Sequence, residues 1–582
     1  MKFLLHSGLG ADSVRDRLGA ADYSYRFVLE GYRSALETLG DVVIVSDPDA
    51  EVDRLYDAAC AENEECVFLC FAPPHKTPSH FRCPTIPVFA WEFSSLPDTS
   101  WGDDPRNDWR YVFARHGRAI TLSQYTARIV RTAMGDSFPI VAIPTATYER
   151  FSTENYRKTF ESTSVQLGFP EINFNGYILD SSNLELTPEM PIPPLRLENL
   201  QQKGEEERIT GQPFPNTVID SCVSATTPQA TELSVDDAGT MIVVPPSASP
   251  SVRREIRRRL ALTNYYAVAW YRDVMRDLLP KPVAWAVSRW GRLLQRSYQF
   301  CITARSSAPE PPPPPPPNIP RVRLSLGGVV YTAVFNPSDG RKNWYDIVTG
   351  FCWAFREAED AVLVLKMANS DPATWWEPAL ILLRELSPFK CRVVILHGFL
   401  EDAEYRALIA ATSFYVNASS CEGLCLPLME FMSGGRPVIA PDHTAMADYI
   451  DTDVGFVLSS GIEHNVWPHD PRDLFRTFRY RLNWESLVEA YLASYRVARE
   501  EPAIYARMAM AARMRMKHYC STAEVARLLH GFFEPASSTT DCATPNPPVM
   551  DLEVGDRQKE PSRASFSEGR GPTPSELEER VA

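Results

Sequence analysis

Residues 414–441 read FYVNASSCEGLCLPLMEFMSGGRPVIAP. An apolar triplet, a polar loop, a short apolar run, a glycine pair and a second apolar run follow in that order. The pattern is strand, loop, helix, stop, strand. Pro427 suits a first helical turn, where its missing N–H costs nothing. Gly434 and Gly435 suit the C-terminal stop. Glu422 then lies in the loop at the carboxyl end of a strand, and Glu430 about one turn into the helix. In doubly wound sheets that edge is where ligands bind. The backbone N–H groups from Gly423 through Leu424, Cys425 and Leu426 to Leu428 point to the same place, which favours an anion such as a diphosphate. An ionised carboxylate accepts paired hydrogen bonds and so suits the paired hydroxyls of a ribose or hexose. Two glutamates eight positions apart are commonplace; the surrounding frame of glycine, proline and strands is what makes the pattern specific.

The same grammar extends outward. GVVYTAVF is a strand, NPSDGRKN a polar loop, WYDIVTGFCWAFREA a helix, and AVLVLKM, RVVILHG and PVIAP are further strands. The first 150 residues repeat the alternation. KFLLHSG is a strand ending at Gly8 and Gly10, and Val28, Tyr32, Ala35 and Leu39 recur at helical spacing before Gly40. DVVIVSD, CVFLCFA and IPVFAWEF are buried strands. Ser123 is placed to cap the helix QYTARIVRTAMG. Strands interleaved with helices imply a parallel sheet covered on both faces. The expected fold class is α/β, with two doubly wound Rossmann-like domains facing a cleft and a long irregular and helical insertion between them.

The expected organisation is a first Rossmann-like domain at 1–155, an irregular insertion rich in Pro, Glu, Ser and Thr at 156–251, and a basic helical segment at 252–307. A stiff polyproline linker follows at 308–320, with seven consecutive prolines at 311–317. A second Rossmann-like domain covers 321–480, C-terminal helices 481–532, and a disordered tail 533–582.

The 582 residues exceed one ordinary core, and 44% hydrophobic content is ample for two. The net charge of −15 disfavours general nucleic-acid binding. Twelve scattered cysteines without C-x-x-C spacing disfavour zinc and a disulfide framework. No apolar run is long enough to span a membrane, and the N-terminal apolar stretch is too short for a signal peptide. A cytoplasmic protein is expected, with no bound metal or cofactor.

Residues 414–441 resemble the donor-binding signature of retaining GT-B glycosyltransferases, in particular glycosyltransferase family 4 (group 1). The residues that carry the resemblance are Ser419, Glu422, Gly423, Leu426, Pro427, Glu430, the glycine pair and PVIA at 437–440. It implies a nucleotide diphosphate sugar as donor and a saccharide or lipid-linked saccharide as acceptor, in a reaction that retains anomeric configuration. It assigns Glu430 to the nucleoside ribose and Glu422 to the transferred sugar. The loop amides of residues 423–426 meet the sugar and phosphates. Lys342 matches the family lysine that neutralises the leaving phosphate. Family members carry an arginine about five residues earlier, where this chain has Pro337; Arg341, adjacent to the lysine, is taken to share the work. Many members also have glycine where Cys425 stands and phenylalanine where Leu424 stands. Gly8 and Gly10 would let the backbone approach the donor across the cleft, although a plain tight turn explains them equally well. Trp91, Glu92, Trp101, His116, Asp442, His443 and Thr444 lie near expected ligand edges or carry side chains suited to such a site; a packing role is the blander reading of each.

Within 252–305, Val283, Val287, Trp290 and Leu294 share one helical face, with Arg289, Arg292 and Arg296 opposite. That composition suits an anionic membrane surface, which would make the protein peripheral to the membrane; a helical hairpin with solvated arginines is the alternative. Two other functions stay open at this level. One is a nucleotide-sugar epimerase or phosphorylase of the same fold. The other is a scaffold or membrane-recruitment protein with a relic donor site.

Overall fold

The computed structural model describes residues 1–8, 23–100, 104–152, 171–184, 186, 321–467 and 475–534. Gly10, Trp101, the basic segment 252–305 and the proline run lie outside the described residues. The chain divides into two compact units, Met1–Leu528 and Leu529–Ala582. The first holds both large sheets. Of the second, only the residues up to Glu534 are described.

The first sheet contains β1 (Lys2–Ser7), β2 (Asp41–Ile44), β3 (Cys66–Phe71), β4 (Thr85–Phe89), β5 (Ala119–Thr121) and β6 (Ile140–Ala142). Its order is β2-β1-β3-β4-β5-β6, and every pair is parallel. The helices between them are α1 (Tyr23–Leu36), α2 (Pro48–Ala61), α3 (Trp109–His116) and α4 (Gln124–Met134), with a short α5 (Tyr148–Phe151) after β6. All six side chains of β3 are buried, as expected of a strand with helices on both faces. Ser123 accepts the Thr126 N–H at 3.2 Å and starts α4 as the sequence predicts.

The second sheet is built from β10 (Val329–Phe335), β11 (Ala361–Met367), β12 (Arg392–His397), β13 (Phe414–Val416), β14 (Val438–Pro441) and β15 (Gly455–Leu458). Its helices are α6 (Trp344–Ala354), α7 (Ala373–Leu386), α8 (Asp402–Ala411) and α9 (Leu426–Ser433). With the edge strand β8 (Tyr177–Asp180), the strand order is β15-β14-β13-β10-β11-β12-β8. The chain runs outward from β10 through β11 to β12, then returns to the other side of β10 as β13. Two parallel α/β sheets of Rossmann type in one chain make the GT-B class.

Residues 156–251 were expected to be irregular, but part of that stretch is strand. β7 (Ile172–Asn175) pairs with β9 (Arg321–Leu324), and β8 (Tyr177–Asp180) closes the edge of the second sheet antiparallel to β12. The physical reason is local alternation: Ile172, Phe174, Tyr177 and Leu179 are all buried. An ion pair adds to it, since Asp180 Oδ2 lies 2.6 Å from Arg392 Nη2. A hairpin of β16 (Ser460–Val466) and β17 (Arg476–Leu482) crosses the expected boundary at 480. The helices α10 (Trp484–Glu500), α11 (Pro502–Cys520) and α12 (Thr522–Phe533) follow. α11 reaches the first domain, where Thr147 donates its N–H to the Cys520 carbonyl at 3.2 Å.

The hairpin also joins the two domains. Ser94 N–H donates to Thr477 Oγ1 at 3.0 Å, and Ser95 Oγ donates to the Arg476 carbonyl at 2.7 Å. Gln124 N–H, at the start of α4, donates to Asp448 Oδ2 at 2.8 Å.

Candidate functional site

The order of strands reverses between β10 and β13, and the crevice at their carboxyl ends is the switch point of the second sheet. Two loops meet there. The loop after β10 carries Asp339, Arg341 and Lys342; the loop after β13 carries Asn417 through Cys425. Lys342 Nζ donates to Glu422 Oε1 at 2.6 Å. Arg341 Nη1 donates to Glu422 Oε2 at 3.1 Å and to the Cys421 carbonyl at 2.9 Å. The Arg341 Nε lies 2.8 Å from Asp339 Oδ2 and 3.5 Å from Glu92 Oε1. Glu92 comes from the first sheet, just beyond β4. Two cations here face three carboxylates.

Glu422 is 3% exposed. Burial opposes its ionisation, but Lys342 and Arg341 outweigh burial and hold the carboxyl at about 2. Its backbone N–H donates to Thr444 Oγ1 at 3.0 Å, and that hydroxyl donates in turn to the His443 carbonyl at 2.7 Å. His443 stacks on Tyr480 of the hairpin, with ring centroids 4.2 Å apart and planes 10° from parallel. Burial pushes its imidazole down to about 4, so it is neutral at pH 7.

The backbone around Glu422 is strained. Among the described residues four non-glycine positions have positive φ, and three of them are Asn343 (51°), Cys425 (65°) and Thr444 (53°). All three adjoin the two loops. Left-handed backbone disfavours any Cβ, and a β-branched residue most of all. Such strain persists only where the surroundings enforce it. At Cys425 the thiol accepts the Asn417 Nδ2–H at 3.1 Å, while Asn417 Oδ1 accepts the Ser419 N–H at 2.8 Å. The helix α9 starts immediately afterwards, and no side chain caps its N-terminus. Pro427 in that first turn has no N–H and the Leu428 N–H lies against the Cys425 thiol, which leaves the Leu426 amide to face an anion.

Glu430 lies elsewhere. It does not join Glu422 and Lys342; its Oε2 accepts the Tyr405 hydroxyl at 2.7 Å. With Leu426, Phe27, Gly31, Arg150 and Phe151 it lines a cavity of about 220 Å³ between the two domains, and neither Glu422 nor Lys342 reaches that cavity. Burial raises the Glu430 carboxyl, with the Tyr405 bond working against the rise. Gly8 lines a second cavity of about 100 Å³ beside His6 and Lys76. His116 closes α3 beside Thr85, the first residue of β4, and so stands at the amino edge of the first sheet.

The two domains close over Glu422. A Cβ on Gly423 would sit 3.0 Å from Ala90 Cβ and 3.2 Å from Trp91 N. The backbone of residues 90–91 thus packs directly on the glycine that follows Glu422. Asn417, Tyr405 and Asp339 were not singled out from the sequence. Each contacts a singled-out residue, but Asn417 and Asp339 carry ordinary loop side chains, and Tyr405 meets Glu430 across 25 residues.

Among the described residues no group of three or more His, Cys, Asp or Glu could hold a metal ion. No helix among them is long and apolar enough to cross a membrane.

Residues 370–475 match the family described as Glycosyl transferases group 1. No curated protein sequence matches the chain. Among solved structures, the chain is similar to sucrose-phosphate synthase from Thermosynechococcus elongatus at 12% identity, over 92% of this chain and 98% of that one, with a TM-score of 0.41. It is similar to Anabaena HepE in complex with UDP and glucose at 10% identity, over 91% and 98%, with a TM-score of 0.40. The pneumococcal O-GlcNAc transferase GtfA, in complex with UDP and GlcNAc, aligns at 15% identity over 35% of each chain, with a TM-score of 0.26. With scores this low, the fold class rests on the two sheets themselves. The two sheets define the GT-B fold class, and the family match falls within the part of the chain that carries the second sheet.

Proposed function

We propose that the chain transfers a hexose from a nucleoside diphosphate sugar to a saccharide or lipid-linked saccharide acceptor, with retention. The observation that carries this reading is the convergence of Lys342 and Arg341 on Glu422 at the β10/β13 switch point, beside the uncapped start of α9. The buried carboxylate stays ionised and can accept hydrogen bonds from hexose hydroxyls. Lys342 and the Leu426 amide stabilise charge on the departing diphosphate. The bond from the anomeric carbon to the phosphate oxygen breaks, and the acceptor hydroxyl oxygen bonds to the same face of that carbon. The acceptor proton leaves with the diphosphate. Glu430, in its own cavity, is assigned to the ribose of the nucleoside.

An acceptor in cell-envelope polysaccharide or lipopolysaccharide synthesis fits this chemistry. The Arg/Trp pattern at 252–305 would bring the enzyme to anionic lipid; those residues lie outside the described part of the chain.

The test is a panel of UDP-, GDP-, ADP- and dTDP-sugars, read first by thermal stabilisation and then by donor turnover. One donor is expected to stabilise the native chain and to be turned over. Turnover is expected to fall by about 10²- to 10³-fold in Lys342→Ala and to be lost in Glu430→Ala. No stabilisation by any donor, or turnover unaffected by both changes, refutes the assignment.

A further inference from the structure

Arg341 is the most heavily claimed cation of the site. Its guanidinium meets Asp339, Glu422, the Cys421 carbonyl and, from the other domain, Glu92. Asp339 and Glu422 belong to the same domain as Arg341 and stay with it when the domains separate. Glu92 does not. It sits directly after Ala90 and Trp91, the two residues that press on Gly423 and close the crevice over Glu422. The contact that shuts the site and the third carboxylate on Arg341 are thus delivered by one segment, residues 90–92. The segment is tied both locally and across the domain contact: Trp91 Nε1 donates to the Ser95 carbonyl at 2.8 Å, and Ser94 N–H donates to Thr477 Oγ1 of the hairpin.

We propose that Glu92 is a positioning residue which holds Arg341 across the domain contact as a stand-in for the donor diphosphate. The proposal rests on the nucleotide-sugar reading above. A diphosphate arriving at this crevice brings negative charge to a group of two cations already matched against three carboxylates. Two of those carboxylates are fixed beside the cations. Removing the third, as the first domain carries residues 90–92 away with it, frees that side of the guanidinium for a phosphate oxygen. The same motion uncovers Glu422 for the sugar. Arg341 and Glu92 side chains are 26% and 18% exposed, so the pair is partly screened and the competition is modest.

The experiment is calorimetric titration of the full chain with UDP, GDP, ADP and CDP at low salt. Native protein is expected to bind at least one of them. Glu92→Gln is expected to bind that diphosphate about five-fold tighter (~1 kcal/mol), because the competitor has lost its charge. Glu92→Asp, with a shorter arm, is expected to tighten binding by a smaller factor, and it carries the test should the glutamine variant misfold. In an Arg341→Gln background the Glu92→Gln gain is expected to vanish. A purely structural role would lower thermal stability and leave this cycle flat. Unchanged or weaker binding by both folded Glu92 variants, or an equal gain without Arg341, overturns the proposal alone. A native chain that binds none of the four diphosphates sinks the nucleotide-sugar reading and the proposal with it.

Discussion

Thr444 Oγ1 accepts the Glu422 backbone N–H at 3.0 Å while donating to the carbonyl of His443, with Thr444 itself held at φ 53°. One hydroxyl thereby ties the loop after β14 to the loop after β13. Replacing it by an isosteric methyl leaves a buried N–H unpaired, a loss of ~1–3 kcal/mol. Thr444→Val is expected to lose that much stability in urea denaturation and to lose donor turnover as the Glu422 loop shifts. Thr444→Ser keeps the hydroxyl and is expected to stay within ~1 kcal/mol of native, with turnover retained. Equal stability of the valine and serine variants would show that the bond contributes nothing.

The two glutamates respond to pH in opposite senses. Glu422 is held at about 2 against an ordinary value of 4.5. Its contribution is fully present above 4.5 and is lost as pH falls toward 2, roughly 3 kcal/mol across that window. Glu430 is raised above its ordinary value by burial. Its contribution is fully present below the ordinary value and is lost as pH rises through the folded one. Glu430→Gln is therefore expected to be more stable than native at pH 8 and to lose that advantage toward pH 4. Glu422→Gln is expected to be less stable at pH 7 by ~3–5 kcal/mol, because it takes away the buried carboxylate that Lys342 and Arg341 share, and to show a flatter acid limb. Denaturant midpoints from pH 3 to 8 for the three proteins check both signs.

Cys425 offers a case where the smaller change costs more. Its φ of 65° and ψ of 64° penalise any Cβ by ~1–2 kcal/mol. Cys425→Ala keeps that penalty and removes the sulfur that Asn417 binds. Cys425→Gly removes both the sulfur and the penalty. The alanine variant is expected to be the less stable of the two by ~1 kcal/mol in thermal or urea unfolding. The reverse order would mean that packing of the Cβ outweighs the backbone strain.

What was legible in the sequence follows from range. The strands of both sheets are continuous apolar runs of β-branched and aromatic residues, and Ser123, Gly434 and Pro427 mark helix ends by local chemistry. The placing of Lys342 and Glu422 at one crevice also follows from local pattern, because each loop follows a strand that ends at the same sheet edge. The edge strand at 177–180 was hidden by its polar surroundings, although Tyr177 and Leu179 alternate as a strand should. The hairpin strand SGIEHNV has almost no apolar signal. It is held instead by its partner β17, whose Tyr480 N–H donates to Ser420 O at 2.9 Å and whose Thr477 bonds Ser94. No window of sequence contains such contacts. Tyr405 with Glu430 and Glu92 with Arg341 were illegible for the same reason.

Gly423 decides how tightly the domains close. A methyl group at this position would lie 3.0 Å from Ala90 Cβ and 3.2 Å from Trp91 N, and neither neighbour is the free end of a flexible side chain. Trp91 cannot simply retreat, because its ring packs at 4.5 Å from Trp109 and its carbonyl accepts the Thr126 hydroxyl at 2.7 Å. Gly423→Ala is therefore expected to cost ~1–3 kcal/mol as overpacking and to relieve the clash by separating residues 90–92 from the Glu422 loop. Hydrogen exchange is expected to rise at residues 88–95 and 420–425 while the amides of β10 and β11 keep native protection. Protection lost throughout the second sheet would place the strain inside that domain instead, and unchanged exchange at 88–95 would show that the contact over Glu422 yields without opening.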